Sequence, residues 1–243
     1  LTIEYRAESQ YDDEPDKMNK KDIQKSFFDQ GDPQLDIIHP QIEGYLLSLL
    51  PKEDSVLSTL EAEAERRRFP IVGPLVGRIL EQLTRMTGAA RVFEMGSGFG
   101  YSAYWFAKGL RRDGTVILTD GSSENIKEAM KNLPPTFPDR KFIGEVGEAI
   151  DILGRYPGPF DIIFNDIDKE AYPDVIQVVL PKLKKGGLLV SDNVLWFGSV
   201  ISKSEKPDVQ AIQKYNQMIY NEKGLLTTIL PIRDGLSISQ KIV

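Results

Sequence analysis

Two apolar runs end in side chains that can do chemistry. Phe160–Asn165 (FDIIFN) leads into Asp166, Asp168 and Lys169, and Gly187–Ser191 (GLLVS) leads into Asp192 and Asn193. Ligands of an open parallel sheet bind outside the carboxyl ends of its strands. If the two runs are neighbouring strands, Asp166, Asp192 and Asn193 converge at one edge. Three hard oxygen donors there suit a divalent cation of the Mg²⁺ or Ca²⁺ kind. Each pair has a plainer use on its own. Asp166 and Asp168 can serve the N-terminus of a following helix, and Asp192-Asn193 can make a turn with side chains bonded to backbone. Their placement at two strand ends argues for more than either.

A third stretch points to a nucleotide-type ligand. Glu94-Met95-Gly96-Ser97-Gly98-Phe99-Gly100-Tyr101-Ser102 follows one strand-like run and opens a helical one. Glycines there let the backbone turn tightly and approach a ligand. Asp120 ends the next strand-like run, where a carboxylate can accept hydrogen bonds from ribose hydroxyls. A dinucleotide and S-adenosylmethionine both fit such a site. The GxGxG spacing is one residue short of the dinucleotide pattern, and Glu94 can meet a cationic amino group. Both points favour S-adenosylmethionine.

The elements that must position these residues follow from periodicity. Ile38–Leu50 is amphipathic, with Ile38, Ile42, Leu46, Leu49 and Leu50 on one side and Pro51 after it. A charged helix over Glu53–Arg68 and a third over Leu75–Met86 flank a Phe69–Pro74 loop. From Ala90 onward strands alternate with helices. The expected strands are Arg91–Met95, Thr115–Thr119, Lys141–Ile143, Phe160–Asn165 and Gly187–Ser191. The expected helices are Ser102–Leu110, Ser123–Leu133, Glu148–Leu153, Tyr172–Lys182 and Asp208–Asn221. That alternation means a mostly parallel sheet with helices on both faces, an α/β doubly wound fold. Leu225–Leu230 and Leu236–Ile242, joined by Pro231–Gly235, form a hairpin, so at least one terminal strand is antiparallel.

The expected layout is a single domain over 1–243, with a polar arm at 1–21, a helical cap at 22–74 and an α/β core at 75–243. A short helix is expected at Asp22–Phe28, ended by Gly31-Asp32-Pro33. The chain opens on Leu1, and Met18 is an internal candidate start. There are no cysteines, which excludes disulfides, thiolate zinc sites and iron–sulfur clusters. The net charge of −6 argues against a broad nucleic-acid or anionic-membrane surface. No run reaches the ~18 apolar residues of a spanning helix and no signal-peptide pattern opens the chain, so a soluble cytoplasmic protein is expected.

The segments FEMGSGFGYSA, VILTD, FDIIFNDIDKEAY, LKKGGLLVSDNVLWFG and LPIRDGLSIS together resemble the cation-dependent, S-adenosylmethionine-dependent O-methyltransferases of the catechol and caffeoyl-CoA type. The resemblance runs from about Leu75 to Val243. It implies a Rossmann-like methyltransferase fold and a homodimer. Cofactor contacts would fall on Val72, Glu94, Gly96, Ser97 and Ser102, with Asp120 at the ribose and Glu148 and Ala149 beside the adenine. Asp168 would lie near the methionine amino group. Gly98, Tyr172 and Asp166 complete the expected cofactor-binding set. Asp166, Asp192 and Asn193 match the metal ligands, and Lys169 matches the base of catechol-type members. Three positions depart from the pattern. Val76 stands where an acidic residue is usual, Glu148 replaces an aspartate, and Phe197 replaces an asparagine that touches substrate in caffeoyl-CoA enzymes. The last argues against a plant-type phenylpropanoid acceptor.

The chemistry implied is displacement at a sulfonium methyl by an oxygen. A phenol is mostly protonated at neutral pH. A divalent cation on two vicinal oxygens lowers their pKa, and Lys169 can take the proton if its own pKa falls from about 10.4. Mg²⁺, Ca²⁺ and Mn²⁺ are all compatible. The expected substrate is a hydroxylated aromatic or other vicinal-diol small molecule. Three rival readings are methylation of a hydroxylated uridine in tRNA, against which the acidic balance argues, an NAD-dependent oxidoreductase, which leaves Asp166, Asp192 and Asn193 unexplained, and a non-catalytic binding module, against which the full set of expected metal ligands and Lys169 argue. Trp196 and Phe197 fit either an aromatic wall for a flat acceptor or core packing. Trp105 and Phe106 read as core and His39 as a helix cap. Glu61–Arg68 reads as a solvated helix face with pairs such as Glu63–Arg67.

Overall fold

The computed structural model describes residues 35–51 and 55–243. The expected polar arm at 1–21, the helix at 22–28 and the break at 31–33 lie outside the described residues. Helices α1 (Pro40–Ser48), α2 (Ser55–Arg67) and α3 (Gly73–Met86) precede the alternating part. There follow β1 (Arg91–Met95), α4 (Tyr101–Gly109), β2 (Thr115–Asp120), α5 (Ser123–Thr136), β3 (Lys141–Val146), α6 (Ala149–Arg155) and β4 (Phe160–Asn165). The chain then makes α7 (Tyr172–Val179), β5 (Leu183–Ser191), α8 (Pro207–Asn221), β6 (Leu225–Leu230) and β7 (Leu236–Lys241).

The sheet order is β3-β2-β1-β4-β5-β7-β6. Strands β1 to β5 pair in parallel, while β7 runs antiparallel to both β5 and β6. The chain winds outward from β1 to β3, then returns to β4 on the other side of β1. The crevice of such a fold opens at the reversal, outside the carboxyl ends of β1 and β4.

Alternation along the central strands makes two cores. Val92, Val116, Leu118, Ile162, Phe164 and Val190 face α2, α3, α4 and α5. Phe93, Met95, Ile117, Ile163 and Leu189 face α6, α7 and α8. Each such side chain, fully withdrawn from water, contributes roughly 1.5–3 kcal/mol. Trp105 and Phe106 are buried as expected. His39 caps α1, its Nδ1 accepting from the Gln41 N–H at 3.2 Å.

The boundaries differ where glycine or proline marks a change of shape and not an end. Strand β5 begins at Leu183, ahead of the expected Gly187, because Gly186 (φ +79°) lets the strand bulge between Phe160 and Ile162 of β4. Strand β3 runs past Ile143 to Val146, and Gly144 packs against Ile126 of α5, where a Cβ would come within 2.6 Å. The expected Glu63–Arg67 pair is replaced. Glu63 holds Arg66, and Arg67 reaches α5, where Glu128 accepts at 2.9 Å and Asn125 at 2.7 Å. Arg67 also lies 5.2 Å from the ring centres of Phe69 and Phe99, so aromatic contact and a helix-bridging ion pair outweigh the local one. No residue of α1 is buried, and Ile42 and Leu49 of its apolar face are exposed.

Candidate active site

The loop after β1 and the loop after β4 touch. Gly96 adopts φ +81°, and a Cβ there would stand 2.4 Å from the Asp166 carbonyl oxygen. Only glycine allows both that backbone shape and that approach. The Asp166 N–H donates to the Met95 carbonyl at 2.9 Å, and the Asp192 N–H to the Asn165 carbonyl at 3.1 Å. These bonds carry the β1, β4 and β5 ends into one ladder, so their following residues share an edge.

On the β1 side Glu94 is fully buried, and neither carboxylate oxygen has a hydrogen-bond partner. Burial lifts its pKa to about 8, against which the Ser102 and Ser97 hydroxyls act. Ser97 and Ser102 are themselves buried. Asp120 ties the glycine loop to β2. Its Oδ2 accepts from the Gly98 N–H at 2.9 Å, and its Oδ1 from the Ser122 N–H at 2.8 Å and from Asn125 at 3.0 Å. The Gly147 N–H donates to the Asp120 carbonyl at 3.0 Å, which sets Glu148 and Ala149 beside the same strand end. Glu148 is exposed and Ala149 buried at the start of α6. Val72 is buried at the head of α3. Arg233 braces that segment, donating to the Ile71 carbonyl at 2.6 Å.

On the β4–β5 side Asp192 is 3% exposed, and its Oδ1 has no partner. Burial, and then the negative charge of Asp166, push its pKa up to about 6. That repulsion places the two carboxylates within electrostatic reach of each other. Lys169 answers it. Its ammonium donates to Asp166 Oδ1 at 2.8 Å, the Ile167 carbonyl at 3.1 Å and the Tyr172 hydroxyl at 3.0 Å. Tyr172 lies fully buried beneath the site, and its O–H donates a hydrogen bond to the Asp192 carbonyl at 2.9 Å. Its hydroxyl joins the lysine to the β5 end, so its place is below the surface that a ligand would meet. Asp168 is exposed at the N-cap of the short turn at Lys169–Ala171. Asn193 adopts φ +57°, the left-handed region that asparagine tolerates in turns.

The backbone past Asn193 is strained at Trp196 and Phe197, whose φ are positive (44° and 52°), and Gly198 (φ 80°) continues the turn without strain. The Trp196 and Phe197 rings are 5.9 Å apart, tilted by 47° and half-buried, and the Lys169 ammonium is 5.7 Å from the Trp196 ring centre. Trp196 Nε1 donates to Asp208 at 2.9 Å.

Asp234 was absent from the sequence-derived site and belongs to this edge. It is 4% exposed, accepts from the Phe197 N–H and takes the Asn193 side-chain N–H at 3.3 Å. Burial is the largest cause lifting its pKa to about 7. The Phe197 N–H opposes the shift, and the negative charge of Asp192 adds to it. Pro231–Gly235 reads in sequence as a hairpin turn and nothing more. The missed signal is direction, because a strand antiparallel to β5 begins where β5 ends.

Among the described residues no group of three or more His, Cys, Asp or Glu side chains is arranged to hold a metal ion. The candidate cation set is two carboxylates and one amide. Its fit rests on chemistry: hard oxygen donors, mutual repulsion between Asp166 and Asp192, and a buried Asp192 oxygen without a partner.

Residues 51–242 match the protein family described as O-methyltransferase. Over 200 residues the chain is 31% identical to a catechol O-methyltransferase of Niastella koreensis, an overlap spanning 79% of this chain and 90% of that one. A caffeoyl-CoA O-methyltransferase of Stellaria longipes is 26% identical over 218 residues, 83% of this chain and 90% of its own. The solved structure of an O-methyltransferase from Bacillus cereus in complex with SAH superposes with TM-score 0.75 at 28% identity, covering 83% of this chain and 97% of that one. TomG, an O-methyltransferase from Streptomyces achromogenes involved in tomaymycin synthesis and solved with SAM, gives TM-score 0.72 at 26% identity, covering 84% and 96%.

Proposed function

This chain belongs to the O-methyltransferase family, and from that premise we propose that it methylates one hydroxyl of a catechol-like or other vicinal-diol small molecule, using S-adenosylmethionine and a divalent cation. One observation carries the reading. Among the described residues, the buried carboxylate oxygens without a hydrogen-bond partner are both oxygens of Glu94 and Oδ1 of Asp192. An unpaired buried carboxylate is costly. Each is relieved by a positive group, and the two lie on the two sides of one crevice.

Glu94, Gly96, Ser97, Gly98, Ser102 and Asp120 would hold the cofactor, with Val72, Glu148, Ala149 and Asp168 around it. Asp166, Asp192 and Asn193 would hold the cation. When bound, the cofactor supplies an electrophilic methyl group and the cation lowers the pKa of an acceptor hydroxyl. The chain's own groups do the rest. Glu94 turns a cationic group toward the glycine loop. Lys169, set beside Asp166 by three hydrogen bonds, takes the proton from the acceptor oxygen at Nζ once it is itself neutral. Tyr172 keeps that amine in register with the Asp192 turn. Trp196 and Phe197 offer flat apolar surface to an aromatic acceptor and keep water from the reacting oxygen. An oxidoreductase would leave the unpaired Asp192 oxygen without a purpose. A homodimeric cytoplasmic enzyme is part of the same reading.

The test is methyl transfer from labelled S-adenosylmethionine to a panel of catechols, hydroxycinnamates and their CoA esters, with and without EDTA. Turnover that stops with EDTA and returns with Mg²⁺ supports the reading. Turnover indifferent to EDTA removes the cation from it and returns Asp166, Asp192 and Asn193 to structural or direct substrate roles.

A further inference from the structure

The β6–β7 turn meets the crevice at a residue that the reading above leaves without a task. We infer that Asp234 is a positioning residue for the cation site: it orients the Asn193 amide and holds the strained Trp196–Phe197 backbone against the Asp192–Asn193 turn. The inference rests on the proposed cation site and deepens it.

The geometry is specific. The Asp234 carboxylate takes two N–H groups from two segments, the Asn193 side chain at 3.3 Å and the Phe197 backbone. An amide that gives its nitrogen to a carboxylate is left with its oxygen as the remaining ligand atom. Asp234 therefore decides which end of Asn193 is available to a cation. The backbone on either side repeats the tie. The Val194 N–H donates to the Gly235 carbonyl at 3.0 Å and the Leu195 N–H to the Asp234 carbonyl at 2.9 Å. Gly235 is pressed against Leu195, where a Cβ would come within 2.4 Å of the side chain, so the turn cannot shift without moving the Asn193–Phe197 segment. The opposite face of the Phe197 peptide is also held, its carbonyl accepting from the Leu35 N–H at 2.8 Å. A residue in positive-φ backbone stays there only where its surroundings over-determine it. Asp234 supplies part of that constraint to Phe197 and, through the amide, to Asn193. Partners that orient metal ligands typically carry about 10- to 100-fold in metal affinity.

The experiment is Mn²⁺ binding to the full chain, followed by electron paramagnetic resonance of free Mn²⁺, in wild type, Asp192→Ala, Asp234→Asn and Asp234→Ala. SAH binding is measured alongside, and circular dichroism checks folding. The expected result is a Mn²⁺ Kd raised about 10- to 100-fold in Asp234→Asn, with SAH affinity within about twofold of wild type because the Asp234 carboxylate bonds to Asn193 and Phe197 and to none of the residues proposed to hold the cofactor. An amide at 234 can accept from one of the two N–H groups and must repel the other, so it keeps the packing and loses the orientation. Asp234→Glu, which restores two acceptors, recovers part of the affinity. If Asp234→Ala fails to fold, Asp234→Asn alone decides. Unchanged Mn²⁺ affinity in folded Asp234→Asn, with Asp192→Ala losing Mn²⁺, overturns the positioning role and leaves the cation site standing. If wild type and Asp192→Ala both ignore Mn²⁺, the cation site itself falls and this inference falls with it.

Discussion

The two sides of the crevice are built in different ways. The β1–β2 side comes from one continuous βαβ unit. Glu94, the glycine loop, Ser102 and Asp120 lie within about one turn of the fold, and backbone N–H groups meet Asp120 directly. It holds one buried acid, Glu94, whose oxygens have no hydrogen-bond partner and which the Ser97 and Ser102 hydroxyls and the charges of Asp166 and Asp120 influence. The β4–β5 side is assembled from three separated segments around Asp166, Asp192 and Asp234. Its acids crowd one another, and Lys169 and Arg233 offset part of the repulsion. A side built locally tolerates change elsewhere in the chain. A side built from distant segments depends on each of them, and on the charge that fills it.

The largest expected effect tests that separation. Asp192→Ala should lower cation-dependent turnover by about a thousandfold, the rate equivalent of several kcal/mol, while SAH binding in the folded variant stays near wild type. Calorimetry with SAH reads the second part, and loss of SAH binding there would mean that the two sides are not independent. Lys169→Met comes next. A lost general base costs about a hundredfold or more in kcat, while Mn²⁺ and SAH binding should stay near wild type. A variant that keeps wild-type kcat removes Lys169 from the role of base.

Glu94 probes the other side through pH. Its folded pKa of about 8 lies above the ordinary 4.5, so the folded protein binds one more proton than the unfolded chain between those values. Stability of the cofactor-free protein should therefore be fullest below pH 4.5 as far as this group is concerned, and should fall as pH rises through 8. The span is on the order of a few kcal/mol. Glu94→Gln should flatten that decline and weaken cofactor binding most at pH 8 and above, where wild type is ionised. Thermal melts of both proteins from pH 5 to 9 measure it, and parallel melting curves would remove Glu94 as the responsive group. The smallest effect lies one residue behind the β1–β2 side, where Arg67 donates to Asn125, itself a donor to Asp120. Arg67→Met should cost about 1 kcal/mol of stability and leave kcat near wild type. A large kcat change would tie the α2–α5 contact to the crevice.

Legibility followed the same division. Strands β1, β4 and β6 have the boundaries that their residues announce, because apolar runs between turn residues act over a few positions. The glycine loop was legible for the same reason, and Asp166, Asp192 and Asn193 were legible as residues at strand ends. Tyr172 was legible only through the family resemblance, as a cofactor neighbour. It lies fully buried, with its hydroxyl bonded to the Lys169 ammonium and the Asp192 carbonyl. Arg67 reads locally as the partner of Glu63. Whether a salt bridge forms along a helix or across to another depends on what packs beside it, and Phe69, Phe99 and Glu128 are brought there by the sheet.

Periodicity, glycine spacing and strand-end acids by themselves determined an α/β chain with a cofactor-type loop and an oxygen-rich edge. Those signals are local, since side-chain alternation and turn chemistry are properties of neighbouring residues. Strand order and direction are set by which apolar faces can be covered together, over the whole chain. That decided that β7 lies beside β5 and runs against it, that the turn before β7 delivers Asp234 and Arg233 to the crevice, and that Trp196 and Phe197 are held in backbone shapes their own sequence would not choose.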